Sequence, residues 1–180
     1  MAKTLPPLVF EHFRQPRHNE ALENADAVAE MEARREGAFV RLYLRREGEG
    51  LRLGYTLHGE RSLVASLSLL TTHVQGWTEE ALAGLEVEAL AEAYALPLEA
   101  QPMLSLALDA LRAGLAALRG EPDPFADEGE VLCHCLHLRR GRILRTIQER
   151  ELKTLEEVRF WTRACSGCRG CREDLEELLS

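Results

Sequence analysis

The sequence predicts an α+β fold in two parts: a small antiparallel sheet packed with helices comes first, and a small all-α region follows. Three observations support this prediction. Apolar and polar residues alternate over residues 38–57, whereas apolar residues recur at helical spacing over much of the chain after residue 60. Residues 120–130 are rich in Pro, Gly and acidic side chains, which is typical of a linker. All five cysteines follow that segment.

The first part, residues 1–119, is expected to open with a short helix over Pro6–Arg14, which Pro16 ends. Residues 20–37 are polar and poorly periodic, so we expect a loop with one helical turn there. The next segment alternates in polarity on both sides of a Gly-containing turn, which predicts a β-hairpin of Ala38–Arg46 and Leu51–Leu57.

Helices are expected over the rest of this part. Leu63, Leu67, Leu70 and Val74 form one apolar stripe, which predicts a helix that ends at Gly76. A short helix should follow with Thr78 as its N-terminal cap. Two more helices are predicted over Val87–Leu96 and Met103–Leu118.

The second part, residues 131–180, begins with an extended or looped segment over Val131–Leu138. A helix is expected over about 141–150, and Thr154 with Glu157 forms a capping box that predicts the start of another. The chain should close with a helix over Cys171–Leu179. Because 50 residues provide little core, a metal centre would help to stabilise this part.

Composition excludes several classes of function. The formal net charge of −8 disfavours non-specific binding to nucleic acid. No apolar run approaches the roughly 20 residues that cross a membrane, and the N-terminus lacks an apolar signal stretch, so we expect a cytoplasmic protein. Thiols stay reduced there, so clustered cysteines favour metal chemistry over disulfides. Recognisable catalytic motifs are also missing, and we expect no enzyme.

The cysteines define a candidate metal site. Cys133-His134-Cys135 is followed, after 32 residues, by Cys168-Arg169-Gly170-Cys171. Each tight pair can direct two sulfurs to one centre, and four thiolates suit an iron–sulfur cluster or a structural zinc. Zinc sites usually combine two Cys-x-x-Cys pairs, whereas one pair here is Cys-x-Cys and the intervening segment is helical. The spacing therefore favours iron–sulfur and leaves zinc open as the alternative.

The motifs of this part carry a resemblance to a known domain. The matching segments are Val131–Cys135, Thr154–Val158 and Thr162–Cys171. They resemble the bacterioferritin-associated-ferredoxin-type (BFD-like) [2Fe–2S] domain, which is also the central domain of NifU proteins. The resemblance implies that Cys133, Cys135, Cys168 and Cys171 bind a [2Fe–2S] cluster. His134 and His137 are then surface residues outside the ligand set.

Cys165 departs from that pattern, because the family usually has glycine or another small residue there. Two interpretations stay open. It is either a small, partly buried side chain or a spare thiol that exchanges as a ligand or is oxidised.

The first part resembles the scaffold domain of NifU and IscU-type proteins. The similar segments are Phe10–Arg17, Ser66–Gly76 and Ala107–Leu111. That family assembles clusters on three cysteines, but residues 1–130 contain no cysteine. The corresponding positions hold Glu36, Glu60 and Met103, so the usual scaffold chemistry should be lost.

An alternative is that other side chains of this part bind iron through oxygen or nitrogen: Glu36, Glu60, His58 and His73. The simpler interpretation is that the histidines lie at or near the surface. Met103, on a leucine-rich helix, is then a core residue.

The order of the two parts is that of NifU, which implies a NifU-like accessory or scaffold protein of iron–sulfur cluster assembly. Its partners would be a cysteine desulfurase or other assembly proteins, with no nucleic acid and no membrane, and a homodimer is left open. One alternative is an electron-transfer module for a redox partner. Another is a zinc-stapled interaction protein.

Overall fold

A computed structural model of the chain describes residues 6–32, 39–58, 63–136 and 138–180. It divides the chain into two compact units. Among the described residues, the N-terminal unit extends to Pro124 and the C-terminal unit covers Phe125–Ser180. In these ranges no helix is both long and apolar enough to cross a membrane.

The N-terminal unit is built on a three-stranded antiparallel sheet that follows a first helix. Helix α1 spans Pro7–Arg14, and the sheet has the order β1-β2-β3. The strands are β1 (Ala27–Glu32), β2 (Phe39–Glu47) and β3 (Gly50–His58). The hairpin of β2 and β3 confirms the one predicted from alternating polarity, with Leu42 paired to Tyr55.

Strand β1 corrects the sequence-based expectation. A loop with a helical turn over residues 20–37 was wrong, because Ala27–Glu32 is extended and pairs with β2. Buried residues Ala27, Ala29 and Met31 alternate with exposed ones along it. The alternation is hard to recognise because alanine and glutamate favour strands weakly, and pairing with β2 overrides that preference.

Four helices complete this unit and confirm the predicted run of helices. They are α2 (Val64–His73), α3 (Glu79–Ala83), α4 (Val87–Ala93) and α5 (Gln101–Arg119). Helix α5 lies against β1 and β2. A Cβ atom on Gly114 would lie 2.5 Å from Cδ1 of Leu44, so glycine is what lets α5 approach the sheet.

The core between sheet and helices is dominated by leucine. Leu42, Leu53 and Leu67 are completely buried. Thr78 caps α3, because its Oγ1 accepts a hydrogen bond from the Ala81 N–H at 3.3 Å. The N-terminal unit therefore has an apolar core between its sheet and its helices.

The C-terminal unit is helical, as predicted, with one short antiparallel ladder in addition. Its elements are β4 (Val131–Cys133), β5 (Leu138–Arg139), α6 (Arg140–Glu149), α7 (Leu155–Thr162) and α8 (Arg172–Leu178). The predicted capping box is confirmed: the Thr154 N–H donates to Glu157 Oε2 at 2.9 Å, and the Glu157 N–H donates to Thr154 Oγ1 at 3.3 Å.

The core of this unit is small and rich in sulfur. Its buried residues are Cys133, Leu138, Ile143, Leu152, Val158, Ala164, Cys165, Cys171 and Leu175. Three of these nine residues are cysteines. The packing of the unit and the candidate metal site therefore share the same side chains.

Candidate metal centre

The first cysteine pair lies where β4 passes into a 3₁₀ turn, His134–Leu136. Cys133 ends the strand and is buried, whereas Cys135 lies in the turn and is exposed. Their Sγ atoms are 3.9 Å apart. Two thiolates that bind one tetrahedral ion at a metal–sulfur distance of about 2.3 Å lie about 3.8 Å apart. The pair is therefore spaced to share one metal ion.

The second pair lies in the loop between α7 and α8. Cys168 is exposed, and Cys171 is buried at the residue that precedes α8. The thiols of Cys133 and Cys171 form a hydrogen bond, which brings one cysteine of each pair together in the core. The fold thus joins the two ends of the motif across the 32 intervening residues.

Burial is the main influence on the two inner thiols. It raises the pKa of Cys133 and, likewise, the pKa of Cys171. The Cys165 backbone N–H donates a hydrogen bond to each sulfur, which opposes that rise without cancelling it. Because only the thiolate binds metal, loading of the site must release these protons.

The loop around the second pair follows a strained path. Arg163, Cys165 and Arg169 all have positive φ angles, of 65°, 60° and 62°. Gly167 lies directly beside the first pair, since a Cβ atom there would be 2.8 Å from Cys135 Sγ. Glycine at this position leaves room beside the Cys135 sulfur that a side chain would fill. The four cysteine sulfurs therefore fit a metal cluster bound between the two pairs.

Four cysteine thiolates can bind a structural zinc, with all four ligands around one ion, or a [2Fe–2S] cluster, which distributes them over two irons.

A pocket of about 600 Å³ opens beside the second pair. Cys168, Cys171 and His134 line it together with Arg140 and Asp174. His134 is exposed, as predicted for a surface residue, and His137 lies outside the described residues. The pocket gives small molecules or a partner's side chain access to this side of the centre.

The candidate ligands of the N-terminal unit form no comparable site in the part of the chain that the structure describes. Glu36 and Glu60 lie outside that part. His58 is exposed and stacks on Phe39, with ring centroids 5.1 Å apart. His73 is half-buried, with Nδ1 3.1 Å from the Tyr94 hydroxyl. Met103, at the expected third scaffold position, is half-buried on α5.

Sequence reasoning missed a buried polar cluster in this unit. His12 Nδ1 lies 2.7 Å from Ser68 Oγ, which also accepts a hydrogen bond from the Arg17 N–H at 2.8 Å. Burial lowers the pKa of His12 and raises that of Tyr55, whose hydroxyl also contacts Ser68, to about 12. The histidine and the serine-rich helix were visible in the sequence, but 56 residues separate His12 from Ser68, so only the fold shows that they meet.

The fold and the thiolate pairs define an α+β protein with a cluster-binding C-terminal unit. Comparison of the sequence with protein families is consistent with this class. The family described as NifU-like N terminal domain matches residues 6–123, and the BFD-like [2Fe-2S] binding domain matches residues 131–180. The chain belongs to the NifU-like family, and its C-terminal unit is of the [2Fe–2S]-binding type, which confirms the resemblance seen in the motifs.

Among curated proteins, the chain is similar to two called nitrogen fixation protein NifU. The one from Azospirillum brasilense is 34% identical over 179 residues, which cover 95% of this chain and 57% of that protein. The one from Azotobacter chroococcum mcd 1 is 28% identical over 177 residues, which cover 96% of this chain and 57% of that protein. The chain thus spans a little over half the length of these relatives.

Among solved structures, the chain is similar to the N-terminal part of a nitrogen-fixing NifU-like protein from Brucella abortus. The TM-score is 0.49 and the sequence identity is 18%. The similarity covers 64% of this chain and 94% of that one.

Proposed function

We propose that this protein binds one [2Fe–2S] cluster through Cys133, Cys135, Cys168 and Cys171 and acts in iron–sulfur cluster assembly as a NifU-like accessory protein. One observation carries the proposal. All the cysteines of a chain with a NifU-like N-terminal domain lie in its C-terminal unit, where two pairs meet across a short core.

The geometry supports a stably held cluster. Cys133 and Cys171 are buried, so water has little access to the inner sulfurs. Cys135 and Cys168 are exposed, which leaves one side of the centre open to a partner. When bound, the cluster supplies a one-electron redox centre whose potential depends on hydrogen bonds to sulfur. The Cys165 N–H, which donates to both inner sulfurs, provides such bonds.

The N-terminal unit has a different role in this proposal. Without cysteines in residues 1–130 it has no thiolates on which to assemble a cluster. It keeps a complete core, and α1 exposes two aromatic side chains, Phe10 at 52% and Phe13 at 47%. Exposed aromatic residues are enriched in protein interfaces. We infer that this unit docks assembly proteins, such as a cysteine desulfurase, and that the protein works in the reducing cytoplasm.

Electron transfer to a redox partner is the second candidate. The open side of the centre at Cys135 and Cys168 favours it, because an exposed cluster edge permits close approach of a partner. Transfer of iron and sulfide to an acceptor protein, with loss of the visible spectrum from this chain, supports assembly. Reduction of a partner with the cluster retained supports electron transfer.

The first experiment is anaerobic purification of the whole chain, followed by visible spectra with and without dithionite and assays of iron, sulfide and zinc. We expect a coloured protein with about two irons and two sulfides per chain that reductant bleaches. A colourless protein with one zinc per chain would overturn the proposal.

The second experiment tests where the cluster is built. The chain is incubated with ferrous iron, cysteine and a cysteine desulfurase, beside the double variant Cys133→Ala/Cys171→Ala. We expect about one cluster on the native chain and none on the variant. A cluster on the variant would contradict the assignment of Cys133 and Cys171 as ligands.

A further inference from the structure

Cys165 belongs to a repeated spacing at the centre. The loop reads Cys165-Ser166-Gly167-Cys168-Arg169-Gly170-Cys171. Cys165 and Cys168 are therefore separated by the same Cys-x-x-Cys spacing as Cys168 and Cys171. Cys-x-x-Cys is the spacing with which two sulfurs reach one metal ion. The loop therefore holds two overlapping candidate ligand pairs, and only one of them is used in the proposed function.

The structure places Cys165 in the same buried core as two proposed ligands. Cys133, Cys165 and Cys171 lie in the same core cluster with exposed fractions of 0%, 2% and 4%. The backbone of Cys165 donates to the sulfurs of Cys133 and Cys171. The thiol itself makes one long hydrogen bond, 3.9 Å from Sγ to the Arg169 carbonyl oxygen. A weakly held thiol thus lies within the same buried group as two proposed ligands.

The backbone conformation at this position is unfavourable for cysteine. Cys165 has a φ of 60°, in the left-handed region where glycine is free of strain and other residues are not. Glycine would satisfy the backbone and still provide the N–H that reaches the two sulfurs. The side chain therefore brings only a thiol and its small volume to the site.

Cys168 is the ligand that Cys165 is best placed to replace. Cys133 and Cys135 already form a pair at 3.9 Å, and Cys171 is fixed in the core before α8. Cys168 is exposed in the same loop, three residues from Cys165, so it is the member of its pair most open to oxidation or alkylation. Gly167, between the two thiols, and Gly170, beyond Cys168, give the loop freedom to shift.

We propose that Cys165 is a reserve ligand of the [2Fe–2S] centre, which binds in place of Cys168 when that thiol is lost or modified. This inference rests on the proposed function, because it assumes that Cys168 is a ligand. In the exchange the bond between iron and the modified Cys168 sulfur breaks, and Cys168 leaves the iron as its modified side chain; the Cys165 thiol gives up its proton to water and binds the same iron as a thiolate. No oxidation state changes, and the iron keeps four sulfur ligands.

The test compares the native chain with Cys168→Ala, Cys165→Gly and the double variant, all purified anaerobically. Alanine at 168 avoids a serine oxygen that could itself bind iron, and glycine at 165 suits the positive φ. Iron and sulfide per chain, the visible spectrum and the electron paramagnetic resonance of the reduced protein are measured. We expect Cys165→Gly to match the native chain and Cys168→Ala to keep at least about half of the native iron with all-cysteine spectra. The double variant should hold roughly tenfold less iron per chain than the native protein.

The remaining outcomes each contradict a defined statement. If Cys168→Ala loses as much iron as the double variant, Cys165 is no ligand and the inference fails, while the proposed function stands. If the double variant keeps its cluster, another group replaces Cys168 and the inference fails as well. His134, which lines the same pocket, would then give spectra of mixed nitrogen and sulfur ligation. A colourless native chain would overturn the proposed function and this inference together.

Discussion

The two units of this chain differ in what holds them together. The N-terminal unit has a three-stranded sheet covered by helices, with a leucine core and no cysteine. In the C-terminal unit, Cys133, Cys165 and Cys171 supply three of the nine buried core residues. The core of the first unit contains none of the proposed cluster ligands. In the second unit two of the buried cysteines, Cys133 and Cys171, are also proposed cluster ligands.

This difference makes the two units separately testable. The chain has two tryptophans, Trp77 in the N-terminal unit and Trp161 in the C-terminal unit. Trp161 packs against the small core, and the Arg150 guanidinium lies 3.8 Å from its ring centroid. Replacing either tryptophan with phenylalanine leaves fluorescence that follows the unfolding of one unit, and hydrogen exchange of backbone amides gives an independent measure.

The largest effect is expected from Cys133→Ala. Loss of a buried ligand should lower iron per chain at least about tenfold and destabilise the C-terminal unit, since metal binding and folding are coupled there. Iron assay and Trp161 fluorescence measure the two effects. Cys165→Gly, which removes another buried cysteine from the same core, is the matched control and should keep its iron. Full iron in Cys133→Ala would show that the ligand set is assigned incorrectly.

A large but purely structural effect is expected from Leu42→Ala. Leu42 is completely buried in β2, so its truncation should lower the free energy of unfolding of the N-terminal unit by about 2–5 kcal/mol. Iron content should stay unchanged. Val28→Ala, on the exposed face of β1, is the control and should cost about 0.5 kcal/mol or less. Denaturant unfolding followed by Trp77 measures both, and a loss of iron in Leu42→Ala would mean that the units are not independent.

A smaller effect is expected from removal of the helix caps. Thr154→Ala breaks the capping box of α7 and should destabilise the C-terminal unit by about 1 kcal/mol. Thr78→Ala removes the cap of α3 and should affect the N-terminal unit instead. Amide exchange in α7 and α3 measures each change. If either variant increased amide exchange in both units equally, the expectation that each cap stabilises only its own unit would be wrong.

The smallest effect depends on pH. Burial lowers the pKa of His12 below its ordinary value of 6.5, so in mildly acidic solution the unfolded chain binds more protons than the folded one. Stability of the N-terminal unit should therefore begin to fall as pH drops through 6.5, and the loss should be complete below the lowered pKa. Thermal unfolding between neutral and acid pH measures this slope. His12→Gln should reduce the dependence of stability on pH. An unchanged dependence would mean that groups other than His12 cause it. His18, whose pKa burial also lowers, contributes with the same sign.

The sequence predicted features that depend on neighbours along the chain. The β2–β3 hairpin follows from alternating polarity, and the box at Thr154 and Glu157 follows from two residues three positions apart. Strand β1 was missed because its alanines and glutamates give a weak local signal and only pairing with β2 makes them extended. Contacts between distant segments, such as His12 with Ser68, had no local signal at all.

At the candidate site, too, local features were predicted from the sequence and contacts between distant segments were not. The cysteine pairs were visible in the sequence and their family in the resemblance of the surrounding motifs, but the ligand assignment itself remains a prediction. The meeting of Cys133 with Cys171, the burial of Cys165 and its positive φ came only from the folded chain. They depend on how the loop after α7 closes against β4, which the spacing of cysteines does not determine.

Gly167 has a consequence for the genetics of this protein. A Cβ atom there would lie 2.8 Å from the Cys135 sulfur, so any side chain requires that sulfur to move. If Cys135 binds the cluster as proposed, we expect a missense change at this one position to weaken cluster binding while every cysteine stays intact. Inspection of the cysteines alone would score such an allele as functional, so the glycine belongs with the thiols when natural variants of this protein are sorted into active and inactive forms.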